Sequence, residues 1–187
     1  MKHITNKPEQ QAWKFIDPDT NKMALKSVST LPMPLEHAIE MVANCALRCE
    51  WDKGFYDYGV IEKKGEDELI VYWKVKMPTM VTNRDFVVSR VSTRNYKGWD
   101  SISCSNSVEH EKMPKNKKYV RAVIENSYTF LKKIDDKNTE MHFLMSVNPK
   151  GLIPKVIYNK MADAVPKRVN KAMIDGYEKV KSKHFKD

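Results

Sequence analysis

The feature that most constrains the fold is a long apolar stripe near the C-terminus, downstream of Gly151. Its members recur every three or four residues, as they do on one face of an α-helix; they are Ile157, Met161, Ala164, Val165, Val169, Ala172, Met173, Gly176 and Val180. The stripe predicts one helix of about thirty residues, roughly 45 Å long. Pro166 should kink this helix or briefly interrupt it. A helix of this length needs an extended apolar surface to lie on.

The preceding segments predict that surface. Six stretches have strand character and are joined by short turn sequences, which favours an antiparallel meander; they are residues 56–63, 68–77, 86–94, 101–109, 119–133 and 139–147. Upstream, residues 13–16 and 24–30 flank a turn cluster at 17–21 and predict a hairpin. One amphipathic helix of about four turns is expected from Leu35 to Cys49, after Pro34. We therefore predict an α+β fold in which a curved antiparallel sheet wraps around the C-terminal helix.

Composition indicates an ordinary globular protein, because 41% of its 187 residues are hydrophobic and 30% are charged. We expect a single domain over residues 1–187. No apolar run is long enough to span a membrane, and the N-terminus lacks the apolar core of a signal peptide, so a cytoplasmic location is expected.

Charge is unevenly distributed along the chain, whose net charge is +9. Residues 150–187 contain ten Lys or Arg and four Asp or Glu, so this segment alone carries +6. A second basic group comprises Lys112, Lys115, Lys117 and Lys118. Such patches attract acidic lipid headgroups or nucleic acid, although a well-solvated surface explains them equally well.

Residues that could carry covalent or metal chemistry are sparse. The three cysteines, Cys45, Cys49 and Cys104, have no disulfide-framework spacing and are expected to be buried, reduced thiols. The chain lacks the serine-nucleophile, phosphate-loop and metalloprotease motifs. We therefore expect no enzyme activity, no cofactor and no metal site.

One strand carries a charged residue toward the predicted interior. Alternation over residues 84–90 places Phe86, Val88 and Arg90 on one face and Asp85 on the other. If that first face lines a cavity, the Arg90 guanidinium needs a partner or the polar group of a ligand. The alternative is that Arg90 lies at the strand end and reaches solvent or pairs with a surface acid. We interpret Asp85 as structural, either capping a turn or pairing with a neighbouring Arg or Lys.

Two strands alternate large apolar residues with other side chains: Val71, Trp73, Val75 and Met77 in one, and Met141, Phe143, Met145 and Val147 in the other. A packed core between sheet and helix explains this pattern. The eleven methionines of the chain favour an adaptable pocket, because flexible thioethers accommodate varied apolar ligands.

Four segments carry a further signal. In chain order they are Cys49-Glu50-Trp51-Asp52, then Arg84-Asp85-Phe86-Val87 with Arg90, then Tyr119-Val120-Arg121-Ala122, and last Asn148-Pro149-Lys150-Gly151-Leu152-Ile153-Pro154. Together, in this order, they resemble the START (StAR-related lipid transfer) family of the helix-grip superfamily. The resemblance implies an internal apolar tunnel that holds one phospholipid or sterol beneath the C-terminal helix. It implies carriage of that lipid between membranes without covalent chemistry.

The resemblance also implies that Arg90 faces the tunnel and anchors the polar end of the ligand. The expected ligand contacts are Arg90, Val71, Trp73, Val75, Phe86, Val88, Met141, Phe143, Met145, Ile157, Met161, Val165, Val169 and Met173. The basic C-terminal helix is expected to touch anionic membranes transiently, with the protein as a monomer that does not bind nucleic acid.

The chain departs from the family in two respects. The usual N-terminal helix is expected to be missing, because the first strand is predicted only about a dozen residues in. Residues 70–74 contain no acid that could pair with Arg90.

Two alternatives remain open at this stage. A basic surface module could bind acidic proteins or nucleic acid through Tyr96 and Trp99 beside Arg94 and Lys97, with the interior only a packed core. A helix-grip enzyme would need titratable groups inside the pocket, whereas Glu140 and His142 are expected to point outward, opposite Met141 and Phe143.

Overall fold

A computed structural model describes residues 1–7, 10–20 and 22–185, without the side chains of Asn6, Pro166 and Arg168. Its elements in chain order are β1 (Lys2–Lys7), β2 (Gln10–Ile16), β3 (Met23–Leu31), α1 (Leu35–Ala43), α2 (Cys45–Trp51), β4 (Phe55–Lys64), β5 (Glu68–Val75), β6 (Arg84–Tyr96), β7 (Trp99–Ser107), β8 (Val120–Arg121), β9 (Val123–Lys133), β10 (Thr139–Asn148) and α3 (Lys155–His184). In the described residues, no helix is both long and apolar enough to cross a membrane.

The strands form one curved antiparallel sheet in the order β1-β2-β3-β10-β9-β7-β6-β5-β4, which is open and not a closed barrel. The predicted α+β architecture is confirmed. The hairpin of β2 and β3 is also confirmed, and its turn is held by the Asp17 carboxylate, which accepts hydrogen bonds from the backbone of Asp19 and Thr20. Asn21, the last residue of the predicted turn, lies outside the described residues.

One predicted strand, residues 119–133, is divided at Ala122 into β8 and β9. β8 pairs with the start of β6 and runs parallel to it, with Arg84 opposite Val120. The register of β7 on β6 ends at Val88, so the edge of β6 before that residue is free to receive β8. The chain then moves onto β7 as β9, where Ser105 lies opposite Ser127.

The prediction that the first strand begins about a dozen residues in is wrong, because β1 begins at Lys2. This strand, KHITNK, contains one aliphatic residue and therefore shows no apolar alternation. Its place depends on backbone pairing with β2 and on a ring contact of His3 with Trp13, whose centroids are 5.2 Å apart. In the described residues before β3, no helix is present.

The prediction of one helix from Leu35 to Cys49 is also wrong, because Asn44 separates α1 from α2. The Asn44 backbone is extended, and its side chain accepts a hydrogen bond of 3.0 Å from the backbone N–H of Leu47. Asparagine is among the best N-cap residues, so it ends one helix and begins the next. This break changes which residues face the core: Cys45 is buried, whereas Cys49 is exposed and Cys104 is half-buried. The prediction of three buried thiols therefore fails for Cys49.

The long C-terminal helix is confirmed as α3, with 30 residues. It continues through Pro166, so the predicted interruption does not occur. α3 packs on β2, β3 and α2. Asp163 pairs with Lys14 of β2 at 2.6 Å, and Gly176 lies so close to Trp51 of α2 that an added Cβ would be 2.6 Å from that side chain.

Candidate functional site

Arg84, at the start of β6, forms hydrogen bonds with the loop that precedes α3. Its side chain is 2% exposed, and its guanidinium donates to the backbone carbonyls of Pro149, at 3.0 Å, and Lys150, at 2.7 Å. It also donates to the carbonyl of Thr82. Burial lowers the pKa of this guanidinium. These carbonyls replace the water that the buried cation has lost.

Asp85, on the opposite face of β6, forms an ion pair with Arg121 of β8. Its carboxylate is 1% exposed and accepts two hydrogen bonds from Arg121, one from Nε at 3.0 Å and one from Nη2 at 2.9 Å. The predicted structural role of Asp85 is therefore confirmed. Arg84 and Asp85 together connect three of the four segments on which the family resemblance depends.

The concave face of the sheet, beneath the helices, carries two separate apolar clusters. The proximal cluster lies near the start of α3 and is made of Met23, Leu25, Val71, Phe86, Val88, Ala122, Ile124, Val147, Tyr158 and Ala162. Trp73 packs against it, with its ring stacked between Phe55 and Phe86 at centroid distances of 5.5 and 5.4 Å.

The distal cluster lies where α1, α2 and the second half of α3 meet the sheet. Its buried members are Leu31, Met33, Ala38, Met41, Leu47, Trp51, Leu131, Met141, Met173, Tyr177 and Val180. On α3, Met173 belongs to this cluster and Ala162 to the proximal one. The interior between them is therefore spanned by roughly three turns of α3, because eleven residues at 3.6 per turn separate these two positions.

Between the two clusters, the concave face carries a band of hydroxyl groups. The strand register places Ser27, Phe143, Thr129, Ser103 and Ser92 in one row across β3, β10, β9, β7 and β6. The adjacent row contains Ser127, Ser105 and Arg90. We call the six hydroxyl residues of these two rows the hydroxyl band: Ser27, Ser92, Ser103, Ser105, Ser127 and Thr129. Ser27 is buried and the other five are half-buried.

The sequence interpretation missed the hydroxyl band, although a signal was present. β7 reads WDSISCSNS, so its inward positions are serines at every second residue. This is the alternation of a half-buried strand, with hydroxyl groups where apolar residues are usual.

Two buried polar atoms beside the band have no hydrogen-bond partner among the described residues: Ser29 Oγ and Asn170 Oδ1. Ser29 is 3% exposed and Asn170 is 4% exposed. Ser29 lies opposite Met141 in the sheet, on the same face as Ser27. Asn170 lies one turn before Met173, which packs with Met141 in the distal cluster. Both unpartnered atoms therefore belong to the boundary between the band and the distal cluster.

Arg90 points into the interior, at the end of the band. Nη1 contacts Cys45 Sγ at 2.9 Å, and Nη2 donates to the carbonyls of Val42, at 3.4 Å, and Ala43. The cation thus lies at the C-terminal end of α1, where the helix dipole is negative. Among the described residues, no carboxylate forms an ion pair with Arg90. Nearby, burial raises the pKa of the Tyr58 phenol, and Cys45 adds to that shift.

The predicted ligand contacts divide between these regions. Val71, Trp73, Val75, Phe86, Val88, Met145 and Val165 belong to the proximal cluster or pack against it. Met141 and Met173 belong to the distal cluster. Phe143, Ile157, Met161 and Val169 are half-buried and belong to neither. Their contact with a ligand, like that of Arg90, stays a prediction.

At one end of the molecule, apolar side chains are fully exposed on two loops. Met80 is 99% exposed, Leu152 is 98% exposed, and Val156 in the first turn of α3 is 66% exposed. Arg84 donates to a carbonyl of each loop, so the two loops lie side by side. We call Met80, Leu152 and Val156 the apolar tip.

The residues considered for the alternative functions lie outside the interior. Trp99 packs against Phe130 and His142, at centroid distances of 5.2 and 4.8 Å. Arg94 pairs with Glu36, and Lys97 lies over the ring of Tyr96 in the β6–β7 turn. As predicted, His142 lies opposite to Met141, where its Nε2 is 2.9 Å from Glu140. In the described part of the chain, no three His, Cys, Asp or Glu side chains come together as a metal site requires.

Comparison with known proteins agrees with this architecture. The mouse START domain-containing protein 10 is 28% identical over 156 residues, which cover 81% of this chain and 53% of that protein. The mitochondrial steroidogenic acute regulatory protein of Oncorhynchus mykiss is 32% identical over 130 residues, which cover 66% of this chain and 44% of that protein. The chain thus spans about half the length of the curated relatives it matches.

The crystal structure of human STARD10 superposes with a TM-score of 0.86 at 22% identity, and the match covers 98% of this chain and 76% of that one. This likeness shows the fold. The family model of the START domain matches residues 1–178, which include the sheet and most of α3. The chain therefore belongs to the START domain family.

Proposed function

We propose that this chain binds one lipid between the concave face of the sheet and α3, and carries it between membranes without covalent chemistry. The observation that carries the proposal is the incomplete burial of large side chains on the concave face. Large side chains such as Trp73, Phe143 and Met145 lie on this face beneath the helices, yet they are half-buried, with surface still accessible. Concave, mostly apolar interiors with a few polar groups are typical of ligand sites.

The energetics of such a site suit a carrier. Moving an acyl chain from water into an apolar interior gains about 0.8 kcal/mol per methylene, and the bilayer offers the same gain. The half-buried apolar side chains of the concave face, such as Phe143 and Met145, supply the surface that competes with the bilayer. Near-equality of the two environments allows the lipid to enter and to leave.

The apolar tip is the proposed point of membrane contact. Exposed apolar side chains grouped on adjacent loops are uncommon on monomeric proteins and mark interaction sites. Lys150 and Lys155 adjoin Leu152 and Val156, and residues 150–187 carry a net charge of +6. Each basic residue near an anionic surface contributes about 1 kcal/mol. We therefore propose peripheral association with acidic membranes, in which the tip and the start of α3 face the bilayer.

Native mass spectrometry of the purified chain, after incubation with vesicles of mixed lipids, tests the binding proposal. We expect a complex of one chain with one lipid. The variant Thr129→Trp should fill the interior and abolish the complex, and Thr93→Trp, on the exposed outer face of β6, should leave it intact. A chain that takes up no phospholipid, sterol or fatty acid would contradict the proposal.

A vesicle-to-vesicle transfer assay tests the carrier role. Transfer of a fluorescent lipid should accelerate when the acceptor vesicles contain acidic lipid, and should slow at high salt. A chain that binds lipid but does not accelerate transfer would be a lipid sensor and not a carrier.

A further inference from the structure

We propose that the outer, convex face of the sheet binds a short segment of a partner protein that carries apolar and acidic side chains. The proposed site lies on β2, β3, β10, β9 and β7, on the side of the sheet that faces away from α3. It is separate from both the interior and the apolar tip, so the inference goes beyond the proposed function and does not depend on it.

Outward-facing apolar side chains occupy neighbouring positions on these five strands. Their direction follows from alternation, because Lys14 pairs with Asp163 of α3 and Met141 belongs to the distal cluster, so the residues next to them point outward. We call the apolar residues that meet in this way the outer patch: Trp13, Val28, Trp99, Ile102, Tyr128, Phe130 and Leu144. Two of the four tryptophans of the chain therefore lie on a face that is not part of the interior.

The other half of the outer face is covered, and it shows what the outer patch lacks. On β5 and β6, Ile70, Tyr72 and Val87 form a third apolar cluster, against which Val108 and Met113 of the β7–β8 loop pack. No residue of the outer patch belongs to any of the three apolar clusters found in the described part of the chain. One member of the patch is buried and the others are half-buried, so the patch keeps accessible apolar surface.

The outer patch has the dimensions of a peptide site. Its five strands, at about 4.8 Å apart, span roughly 19 Å, which is the length of about six residues of an extended segment. The outward face of an antiparallel sheet usually carries polar side chains. Apolar patches that stay exposed on a protein surface mark interaction sites. We therefore interpret the outer patch as a docking surface.

The aromatic rings of the patch hold one another in place. The Trp99 ring lies 5.2 Å from that of Phe130 and 4.8 Å from that of His142, and Tyr128 stacks on Phe130 at 6.1 Å, all between ring centroids. Trp and Tyr are enriched among the residues that carry most of the binding energy at protein interfaces. They bury a large area and lose little conformational entropy on binding. Fixed rings of this kind favour the apolar side chains of a protein partner.

The charge of the patch indicates the second property of the partner. The Lys26 ammonium lies 5.1 Å from the centroid of the Trp13 ring and, among the described residues, has no carboxylate partner. The acids of this face are already engaged: Glu140 pairs with His142 at 2.9 Å, and Asp100 accepts a hydrogen bond of 2.7 Å from a backbone N–H of β9. The charge left unpaired beside the rings is therefore positive, which complements an acidic side chain of the partner.

Two other kinds of partner fit this surface less well. Single-stranded nucleic acid needs cations that follow its backbone, whereas the Glu140 carboxylate at the edge of the patch would repel a phosphate. A membrane would meet the apolar tip at one end of the strands, and the outer patch lies on the broad side of the sheet. A protein segment satisfies both the apolar surface and the single charge of Lys26.

A selection from a displayed library of random twelve-residue peptides, carried out on the immobilised full chain, tests the inference. The selected peptides should combine acidic with apolar residues, and their binding should weaken at least tenfold in Lys26→Glu and in Tyr128→Ser. Lys63→Glu, on the exposed edge strand β4, is the matched control and should bind them as the unmodified chain does. If Tyr128→Ser fails to fold, Lys26→Glu, which changes only a surface charge, decides the outcome.

The NMR signals of the indole N–H groups then locate the bound peptide. Those of Trp13 and Trp99 should shift when a selected peptide is added, whereas those of Trp51 and Trp73, which pack in the interior clusters, should not.

Three results would overturn the inference: no enrichment of acidic peptides, equal binding by Lys26→Glu, or shifts confined to Trp51 and Trp73. Binding of an oligo-dT strand or of acidic vesicles that is lost in Lys26→Glu would also overturn it, because the partner would then belong to another class. Lipid uptake should be the same in Lys26→Glu as in the unmodified chain, so these results leave the proposed function untouched.

Discussion

Arg84 and Arg90 lie on the same strand and the same face, six residues apart, yet their surroundings differ. Arg84 is almost fully buried and donates to three backbone carbonyls of two loops. Arg90 is half-buried, contacts the end of α1 and a thiol, and retains two N–H groups without a described partner. The start of β6 therefore connects two loops, whereas its middle contacts α1 and keeps hydrogen-bond donors without a described partner.

The largest expected effect concerns stability at the start of β6. Asp85→Ala leaves Arg121, whose side chain is 12% exposed, without its buried partner. Breaking a buried ion pair in this way costs about 3–5 kcal/mol. Urea denaturation should show this loss in the free energy of unfolding. A loss below about 1 kcal/mol, the range of exposed pairs, would contradict the role assigned to Asp85.

Arg84→Met should be the next most severe change. It removes three hydrogen bonds to backbone carbonyls of the two loops, with an expected loss of about 3 kcal/mol in the free energy of unfolding. Arg94→Met is the matched control on the same strand, because Arg94 makes an exposed pair with Glu36 and should contribute less than about 1 kcal/mol. If the two variants lost equal free energy of unfolding, the stabilising role assigned to Arg84 would be contradicted.

Arg90→Met should weaken lipid binding more than it lowers stability, in contrast to the substitutions at the start of β6. The loss of contacts with α1 should lower the free energy of unfolding by about 1 kcal/mol. Lipid uptake should fall at least tenfold, which corresponds to about 1.4 kcal/mol of binding free energy. Uptake equal to that of the unmodified chain would show that Arg90 serves only to hold α1.

The smallest effect is expected at the apolar tip. Met80 and Leu152 of the tip lie on the two loops whose carbonyls accept hydrogen bonds from Arg84. Leu152→Ser should leave the unfolding transition unchanged, because this side chain is 98% exposed. Sedimentation with acidic vesicles should show binding weakened about fivefold, since about 1 kcal/mol of apolar insertion is lost. Val60→Ser, also exposed at 55% but on the edge strand β4, is the control and should bind vesicles normally.

Sequence periodicity predicted the features whose burial follows one regular pattern. The apolar stripe from Ile157 to Val180 predicted α3, and the strands were placed to within a few residues. β1 could not be found in this way, because its polar sequence is held by backbone pairing with β2. The break at Asn44 was missed because the apolar spacing continues across it, although the N-cap preference of asparagine was a local signal.

The candidate site was predicted less completely than the fold. Alternation correctly placed Phe86 and Val88 toward the interior and Asp85 away from it. It could not show that Arg90 meets the end of α1, because that contact joins residues 45 or more positions apart. The serines of β7 were passed over because an interior face was expected to be apolar throughout.

The close contact of Gly176 with Trp51 has a mechanical consequence. It fixes the second half of α3 to α2, and Glu50 adds ion pairs with Lys183 at 3.0 Å and His184 at 3.2 Å. Lys155 lies 21 residues before Gly176, a lever of roughly 32 Å along the helix. A tilt of about 10° around this pivot would move the start of α3 by about 5 Å. The length of α3 therefore amplifies a small rotation at Gly176 into a much larger displacement beside the proximal cluster.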